Sequence, residues 1–115
     1  MPGQGCSVFD PDEIYHKLVS AGEDWADRKA AYEALDGNTK TALADIQANF
    51  MDGAKITKSE AEMRALASGD YKHHLATVSA ARKAFLRAQV TYDSLKMLAE
   101  LRRSQESTRR AEMKL

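Results

Sequence analysis

The chain has 115 residues, no net formal charge, and only 7% aromatic residues among its 43% apolar ones. This length fits one domain at most. The single cysteine, Cys6, excludes an internal disulfide, and no Cys/His spacing typical of a zinc site occurs. The first residues contain neither the basic segment nor the apolar segment of a leader, so we expect none, and no apolar run reaches the roughly 18 residues needed to span a bilayer. We therefore expect a soluble protein of a reducing interior, cytoplasmic by default, without a cofactor or membrane contact.

Charge is unevenly distributed between the two halves of the sequence. Residues 1–57 contain five Lys/Arg and ten Asp/Glu, whereas residues 58–115 contain twelve and seven. One interpretation is that an acidic helix lies against a basic one and their charges pair. The other is that the basic half also offers a surface to nucleic acid. The asymmetry alone favours pairing.

The first predicted element after a flexible tail at 1–9 is a long helix over about 11–51. Asp10 is a suitable cap, and proline is favoured at the first helical position, which Pro11 would occupy. Gly22 and Gly37 predict bends in this helix, with a full break at 36–38 as the alternative. Apolar residues recur every three or four positions along it, at Ile14, Leu18, Ala21, Trp25, Tyr32, Leu35, Ala42, Ile46 and Phe50.

A turn over 52–57 separates this helix from a second one over about 59–112. Either Thr57 or Ser59 caps the second helix, and Ser59 with Glu62 has the spacing of a capping box. A kink at 68–70, around Gly69, is an open alternative. The apolar repeat resumes at Tyr71, His74, Val78, Ala81, Phe85, Ala88, Tyr92, Leu95 and Ala99.

This average repeat of 3.5 residues is typical of helices that pack along one seam, so we predict an all-α protein. The expected domain, residues 10–115, is an antiparallel hairpin of two long helices. Equal distances from the turn would place Ile14 opposite about residue 94, leaving an overhang after about Leu98.

The alanine-rich seam would bury little apolar area, which predicts self-association into an assembly larger than a dimer. The C-terminal overhang is the expected assembly element. Its candidate residues are Leu98, Leu101, Arg102, Arg103, Arg109, Arg110 and Met113.

Nothing in the sequence indicates catalysis or metal binding. No nucleophile has a recognisable base and orienting group, and no glycine-rich phosphate loop follows a strand. His73 and His74 are adjacent, so on a helix they point in different directions. We predict a hydrogen-bonded core position for His74, a solvated one for His73, and no enzyme activity.

Basic residues near the turn and along the second helix are the candidate nucleic-acid contacts, because Lys and Arg that neutralise phosphates give affinity independent of sequence. Phe50 or Tyr71 could stack on bases. The alternatives are a solvated turn and, for the C-terminal arginines, pairing with Glu100, Glu106 and Glu112. The candidate contacts are Lys55, Lys58, Arg64, Lys72, Arg82 and Lys83.

Several short runs resemble the UvsY-type recombination mediators of tailed phages, over about residues 25–113. They are residues 59–67 (SEAEMRALA), residues 88–95 (AQVTYDSL) with Leu75 before them, and the arginine-rich residues 102–110. The resemblance implies a ring-forming oligomer that binds single-stranded DNA. It also implies partners, a RecA-like recombinase and the single-strand-binding protein that the recombinase displaces.

In that family a basic and aromatic stretch just before the turn carries much of the DNA contact. Here residues 44–52 (ADIQANFMD) contain no Lys or Arg, so Lys55, Lys58 and Arg64 would take that role. The leading hypothesis is a phage recombination mediator. The alternative is a phage helical protein-interaction module, an assembly factor or host-protein inhibitor that binds no nucleic acid.

Overall fold

The computed structural model describes residues 11–53 and 55–114, and it is all-helical over this part of the chain. The helices are α1 (Pro11–Gly37), α2 (Thr39–Met51), α3 (Lys58–Ala67) and α4 (Gly69–Met113). The prediction of an all-α protein is thus confirmed. None of these helices is both long enough and apolar enough to cross a membrane. The predicted tail and the cap at Asp10 lie outside the described residues.

The predicted first helix is interrupted at one residue, Asn38, which separates α1 from α2. Its backbone N–H still donates to Ala34 O at 3.2 Å, and its carbonyl accepts from Ala42 N at 2.9 Å. The helical hydrogen-bond ladder therefore continues on both sides of Asn38. α1 also runs through Gly22 without a break. The interruption at 36–38 is real but minimal.

The turn ends in a cap at Thr57, not at Ser59. Gly53 has a positive φ of 71°, which glycine adopts without steric cost. Thr57 is extended, and its Oγ1 accepts a hydrogen bond from Glu60 N at 3.1 Å. The capping box expected at Ser59 and Glu62 is therefore wrong, because both residues already lie inside α3.

Ser68 breaks the predicted second helix completely, because its ψ of 153° is extended. Its hydroxyl donates to Ala65 O at 2.6 Å and accepts from Tyr71 N at 3.2 Å. One side chain thus caps the end of α3 and the start of α4. The kink expected at 68–70 is a helix boundary.

The described residues form two compact units. Unit 1 contains the described parts of residues 1–27 and 86–115, and unit 2 is Arg28–Phe85. All the residues predicted for the apolar seam are half-buried or buried. The repeat therefore identified the packed face of each helix correctly.

Contacts between the N-terminal and the C-terminal segment hold unit 2 together, and these two segments run antiparallel. The rings of Tyr32 and Phe85 stack with centroids 5.2 Å apart and planes 13° apart. Thr39 Oγ1 lies 3.0 Å from His74 Nε2. Near the turn, Gln47 Nε2 donates to Lys58 O at 3.3 Å, and α2 packs against α3.

In unit 1 the start of α1 lies beside the second half of α4. Trp25 and Tyr92 stack with centroids 5.8 Å apart and planes 11° apart. Ile14 lines a cleft with Ala99 and Arg102, so the expected position opposite residue 94 is wrong. Because α3 and the extended Ser68 take up additional residues in the second half of the sequence, Ile14 lies opposite a residue further toward the C-terminus than predicted.

The core is as thin as the alanine-rich seam predicts. The buried apolar residues of the described chain are Ala61, Ala65 and Ala88, and no large side chain is fully buried. Exposed positions are continuous from Arg103 to Lys114. Ala99 and Arg102 are half-buried, so the continuously exposed stretch of α4 begins at Arg103 and not directly after Leu98.

Candidate nucleic-acid interface

The six predicted nucleic-acid contacts all lie in unit 2, and all are exposed. They fall into two groups. The tip group comprises Lys55, Lys58 and Arg64, in the turn and in α3. The arm group comprises Lys72, Arg82 and Lys83, in the first third of α4.

The tip group is held in place by well-defined local structure. The Thr57 cap fixes the start of α3, and the hydrogen bond from Gln47 to the carbonyl of Lys58 ties that start to α2. Carboxylates are interspersed with the cations here, at Asp52, Glu60 and Glu62. The tip therefore has no excess of positive charge, which weakens its attraction for phosphates.

The arm group lies in a different electrostatic setting. Between Asp70 and Asp93, α4 contains no carboxylate. At about 100° per residue, Lys72 and Lys83 lie roughly 20° apart around the helix and about 16 Å apart along it. Among the described residues, no carboxylate forms an ion pair with Lys72, Arg82 or Lys83. This is the clearest basic surface of unit 2.

The lysines of α1 differ from the arm group. Lys17 Nζ lies 3.2 Å from Glu13, and Lys29 Nζ lies 3.9 Å from Glu33. These i, i+4 pairs place carboxylates beside the cations of the acidic half of the sequence. Both are pairs within α1, so they do not test the expected pairing between an acidic helix and a basic one.

Phe50 and Tyr71, the predicted stacking residues, are both half-buried on the packed faces of unit 2. Their rings contribute to the seam, which leaves little of their faces for a base. Tyr15 is the aromatic residue with a highly exposed side chain in the described chain, at 59%. Sequence reasoning missed Tyr15 because it lies one position off the apolar repeat.

Tyr15 borders an open cleft of about 540 Å³ in unit 1. Its lining contains four apolar residues, three arginines and one glutamate. Apolar side chains together with arginines suit a flat ring with an attached anionic group. No sequence pattern indicated this cleft, because its two walls come from opposite ends of the chain. The lining residues are Ile14, Tyr15, Leu18, Ala99, Arg102, Arg103, Gln105, Glu106 and Arg109.

The residues predicted to drive oligomerisation have diverse environments. Leu98 and Leu101 are exposed on α4, and Met113 is exposed near its end. Arg102 is half-buried, Arg103 and Arg109 are exposed, and Arg110 Nη2 lies 3.7 Å from Glu106 Oε2. That last contact agrees with the alternative that the C-terminal arginines pair with nearby glutamates.

His74 occupies the seam and is hydrogen-bonded, as predicted, although it is half-buried and not fully enclosed. His73 is exposed. Within residues 11–53 and 55–114, no group of three or more His, Cys, Asp and Glu side chains is arranged to hold a metal ion.

Comparisons with protein-family models, with curated proteins and with solved structures give no match for this chain. The resemblance to phage recombination mediators therefore rests on the short runs of sequence alone.

Proposed function

We propose that this protein is a self-associating helical hairpin that binds single-stranded DNA and acts as a phage recombination mediator. In this role it assists a RecA-like recombinase in displacing single-strand-binding protein. The observation that carries the DNA-binding part is the arm group, three exposed cations on a stretch of α4 without carboxylates. The mediator part is supported by the resemblance of residues 59–67 and 88–95.

The antiparallel contacts within each unit support the hairpin. The thin core supports self-association, because half-exposed seam residues lose more contact with water when another copy covers them. A ring or other closed assembly would repeat Lys72, Arg82 and Lys83 around its axis. Modest charge per chain would then become a dense positive surface for a strand.

Fluorescence anisotropy with a labelled single-stranded oligonucleotide tests the DNA-binding part. Three phosphate contacts per chain predict a fall in affinity of roughly 20-fold between 50 and 200 mM salt, largely independent of base sequence. Reversing Lys72, Arg82 and Lys83 to Glu should abolish binding. Reversing Lys55, Lys58 and Arg64 should have a smaller effect, because carboxylates already surround them.

The matched control reverses Lys17, Lys29 and Lys40, which changes the charge by the same amount on the acidic half. This control should keep most of the affinity, and all three variants should keep the helical circular dichroism signal. Wild-type protein that binds no strand at about 50 mM salt, where electrostatic binding is strong, would contradict the proposal. Displacement of single-strand-binding protein in the presence of a recombinase then tests the mediator part.

The cleft in unit 1 is a second place where a strand could bind. Tyr15 would stack on a base while Arg103 and Arg109 neutralise phosphates. Tyr15→Ala should then weaken binding several-fold without changing the salt dependence, since stacking involves no counterion release. An unchanged affinity would remove the cleft from the interface.

Self-association is tested by ending the chain after Arg102. A cut after Leu98 would also remove Ala99 and Arg102, which are half-buried, so the later cut disturbs the packed part of α4 less. Both cuts remove Arg103 and Arg109 from the cleft. We expect a helical protein of smaller native mass. An unchanged mass would exclude the overhang as the assembly element.

The second candidate function is a helical protein-interaction module without DNA binding. The observation that favours it is the set of apolar side chains exposed on α4, including Met97 and Leu101. Patches of this kind are typical of protein-binding surfaces. A wild type that associates but binds no strand would favour this candidate.

A further inference from the structure

The cleft in unit 1 is closed at its inner end by the packing of α1 on α4. Trp25 stacks on Tyr92, so equal steps of seven residues, back along α1 and forward along α4, place Leu18 level with Ala99. On the far side of these two residues, a methyl group at Gly22 would lie 3.0 Å from the Tyr92 ring. The two helices are therefore in close contact there, and Leu18 and Ala99 form the inner end of the cleft.

The other end of the cleft lies toward the C-terminus of α4. The same equal steps place Ile14 level with Arg103, and they place Arg109 past the level of Pro11, where α1 begins. Along α4 the distance from Ala99 to Arg109 is about 15 Å. Among the described residues, α4 alone lines this outer end. The cleft is thus a wedge with an apolar inner end and cations toward its outer end.

An aromatic ring stands between the apolar end and the cations. Tyr15 is level with Arg102 and is 59% exposed. Its ring lies beside that of His16, with centroids 5.9 Å apart and planes tilted by 48°. Arg103 and Arg109 are exposed. An exposed aromatic ring next to arginines is the combination with which proteins bind unstacked bases and their phosphates.

Carboxylates at this end of unit 1 oppose an anion only weakly, because two of them already have cations beside them. Glu106 lines the cleft, and its Oε2 lies 3.7 Å from Nη2 of Arg110, which is outside the lining. Glu13 Oε1 lies 3.2 Å from Lys17 Nζ. Asp12 is exposed and does not line the cleft. The lining therefore has an excess of positive charge, three arginines against one glutamate.

We propose that one base of a single strand inserts end-on into this cleft. The base lies between Tyr15, Leu18 and Ala99, and the adjoining phosphates contact Arg103 and Arg109. The volume of about 540 Å³ is within the range of roughly 300–1,000 Å³ typical of small-molecule sites. A closed inner end suits a base, which is a side group, because the backbone of the strand passes across the outer end.

This inference rests on the proposed function, and it specifies how the protein distinguishes a single strand from a duplex. A base of a single strand turns out of its stack at little cost, whereas a base of a duplex must first be unpaired and unstacked. Electrostatic attraction does not make this distinction, because both ligands carry phosphates. The cleft is therefore the part of unit 1 that selects single strands.

Fluorescence anisotropy with two labelled oligonucleotides of equal length tests the insertion. One is a thymidine strand, and the other has the same phosphates but abasic sugars at its central positions. The electrostatic contribution depends on the phosphates and is the same for both. We expect the thymidine strand to bind at least about fivefold more tightly, the lower end of what one stacked base contributes. Equal affinities of the wild type for the two strands would overturn the proposal.

Tyr15→Ala should remove most of this difference, because it weakens binding of the thymidine strand and not of the abasic strand. Val19→Ala is the matched control, since Val19 is a 41% exposed apolar residue of α1 that does not line the cleft. It should keep the difference. A blunt duplex should bind equally to Tyr15→Ala and to the wild type, because its bases stay paired. An equal loss for all three ligands would show an effect of Tyr15 on the fold and overturn the proposal.

Ultraviolet crosslinking locates the base within the protein. A strand that carries iodouracil should crosslink to the peptide that contains Tyr15 or to one from residues 99–109. Crosslinks found only in peptides of unit 2 would overturn the proposal. An acidic peptide with one phenylalanine offers the cleft similar chemistry, so it is added as a competitor. If it displaces the thymidine strand where thymidine monophosphate does not, the cleft binds a protein partner and the proposal is overturned.

Base insertion and the proposed function fail in different ways. A wild type that binds the thymidine and abasic strands equally contradicts base insertion and leaves DNA binding through the arm group standing. A wild type that binds neither strand contradicts both.

Discussion

Gly22 offers a sharp test of how α1 packs against α4, because its lack of a side chain makes room for an aromatic ring. A methyl group at Gly22 would lie 3.0 Å from Cε1 of Tyr92 and 3.5 Å from its Cδ1 and Cζ. The ring is confined on another side by Trp25, with which it stacks. A methyl group at this position therefore meets a ring that has little room to retreat.

Gly22→Ala has two opposing effects on the free energy of unfolding. Alanine is favoured over glycine inside a helix by about 1 kcal/mol, whereas overpacking against a confined ring costs about 1–3 kcal/mol. We expect a net loss of about 0–2 kcal/mol. Gly37→Ala is the matched control, because a methyl group there meets nothing within 4 Å. It should stabilise by up to about 1 kcal/mol.

Urea denaturation followed by circular dichroism, at one protein concentration for all variants, measures the difference. In a Tyr92→Ala background the ring is absent, so Gly22→Ala should become stabilising. This change of sign is the coupling that a double-mutant cycle detects. If Gly22→Ala stabilises the wild type as much as Gly37→Ala does, the Tyr92 ring does not pack on Gly22.

Three further predictions concern contacts along the seam and at its caps. Phe85→Ala and Tyr92→Ala should each lower the free energy of unfolding by about 2–3 kcal/mol, which is less than the roughly 3–5 kcal/mol expected for a fully buried aromatic. Ser79→Ala, at an exposed position, should lower it by under about 0.5 kcal/mol. Equal unfolding midpoints for the three variants would contradict the packing. Lys96→Ala should cost about 0.5–1 kcal/mol and is no neutral control, because Lys96 Nζ lies 5.2 Å from the centroid of the Tyr92 ring. Thr57→Ala should lower the free energy of unfolding by about 1 kcal/mol through loss of the cap, and Ser59→Ala should lower it much less. If thermal denaturation shows the larger loss for Ser59→Ala, then Ser59 and not Thr57 caps α3.

The sequence predicts correctly which faces of the helices are packed, but it does not predict which residues of the two halves of the chain lie opposite each other. Leu18 and Leu95 were assigned to the seam from spacing alone, because the geometry of a helix decides which residues share a face. The position opposite Ile14 depended instead on Ser68, whose extended backbone no periodicity indicates. The cap was ambiguous because Thr57 and Ser59 are both suitable hydroxyl residues, and only the end of the turn decides between them.

The candidate site was predictable to a similar degree. Exposed cations such as Lys72 and Lys83 follow from their positions off the apolar repeat. Tyr15 and Arg102 line one cleft only because distant parts of the chain pack together, and the sequence alone does not supply that pairing. Gly22 was interpreted as a bend, although its small size serves the ring of Tyr92.

The thin core has a calorimetric consequence. Unfolding of a globular domain raises the heat capacity by about 12–15 cal/mol/K per residue, mainly because apolar surface becomes hydrated. In this chain alanines are the buried apolar residues of the described part, so a single copy has less such surface to expose. Its heat-capacity increment should be smaller than that range, and its stability should vary little with temperature. Each interface that forms between copies adds apolar surface to be hydrated on unfolding, so the increment itself becomes a measure of assembly.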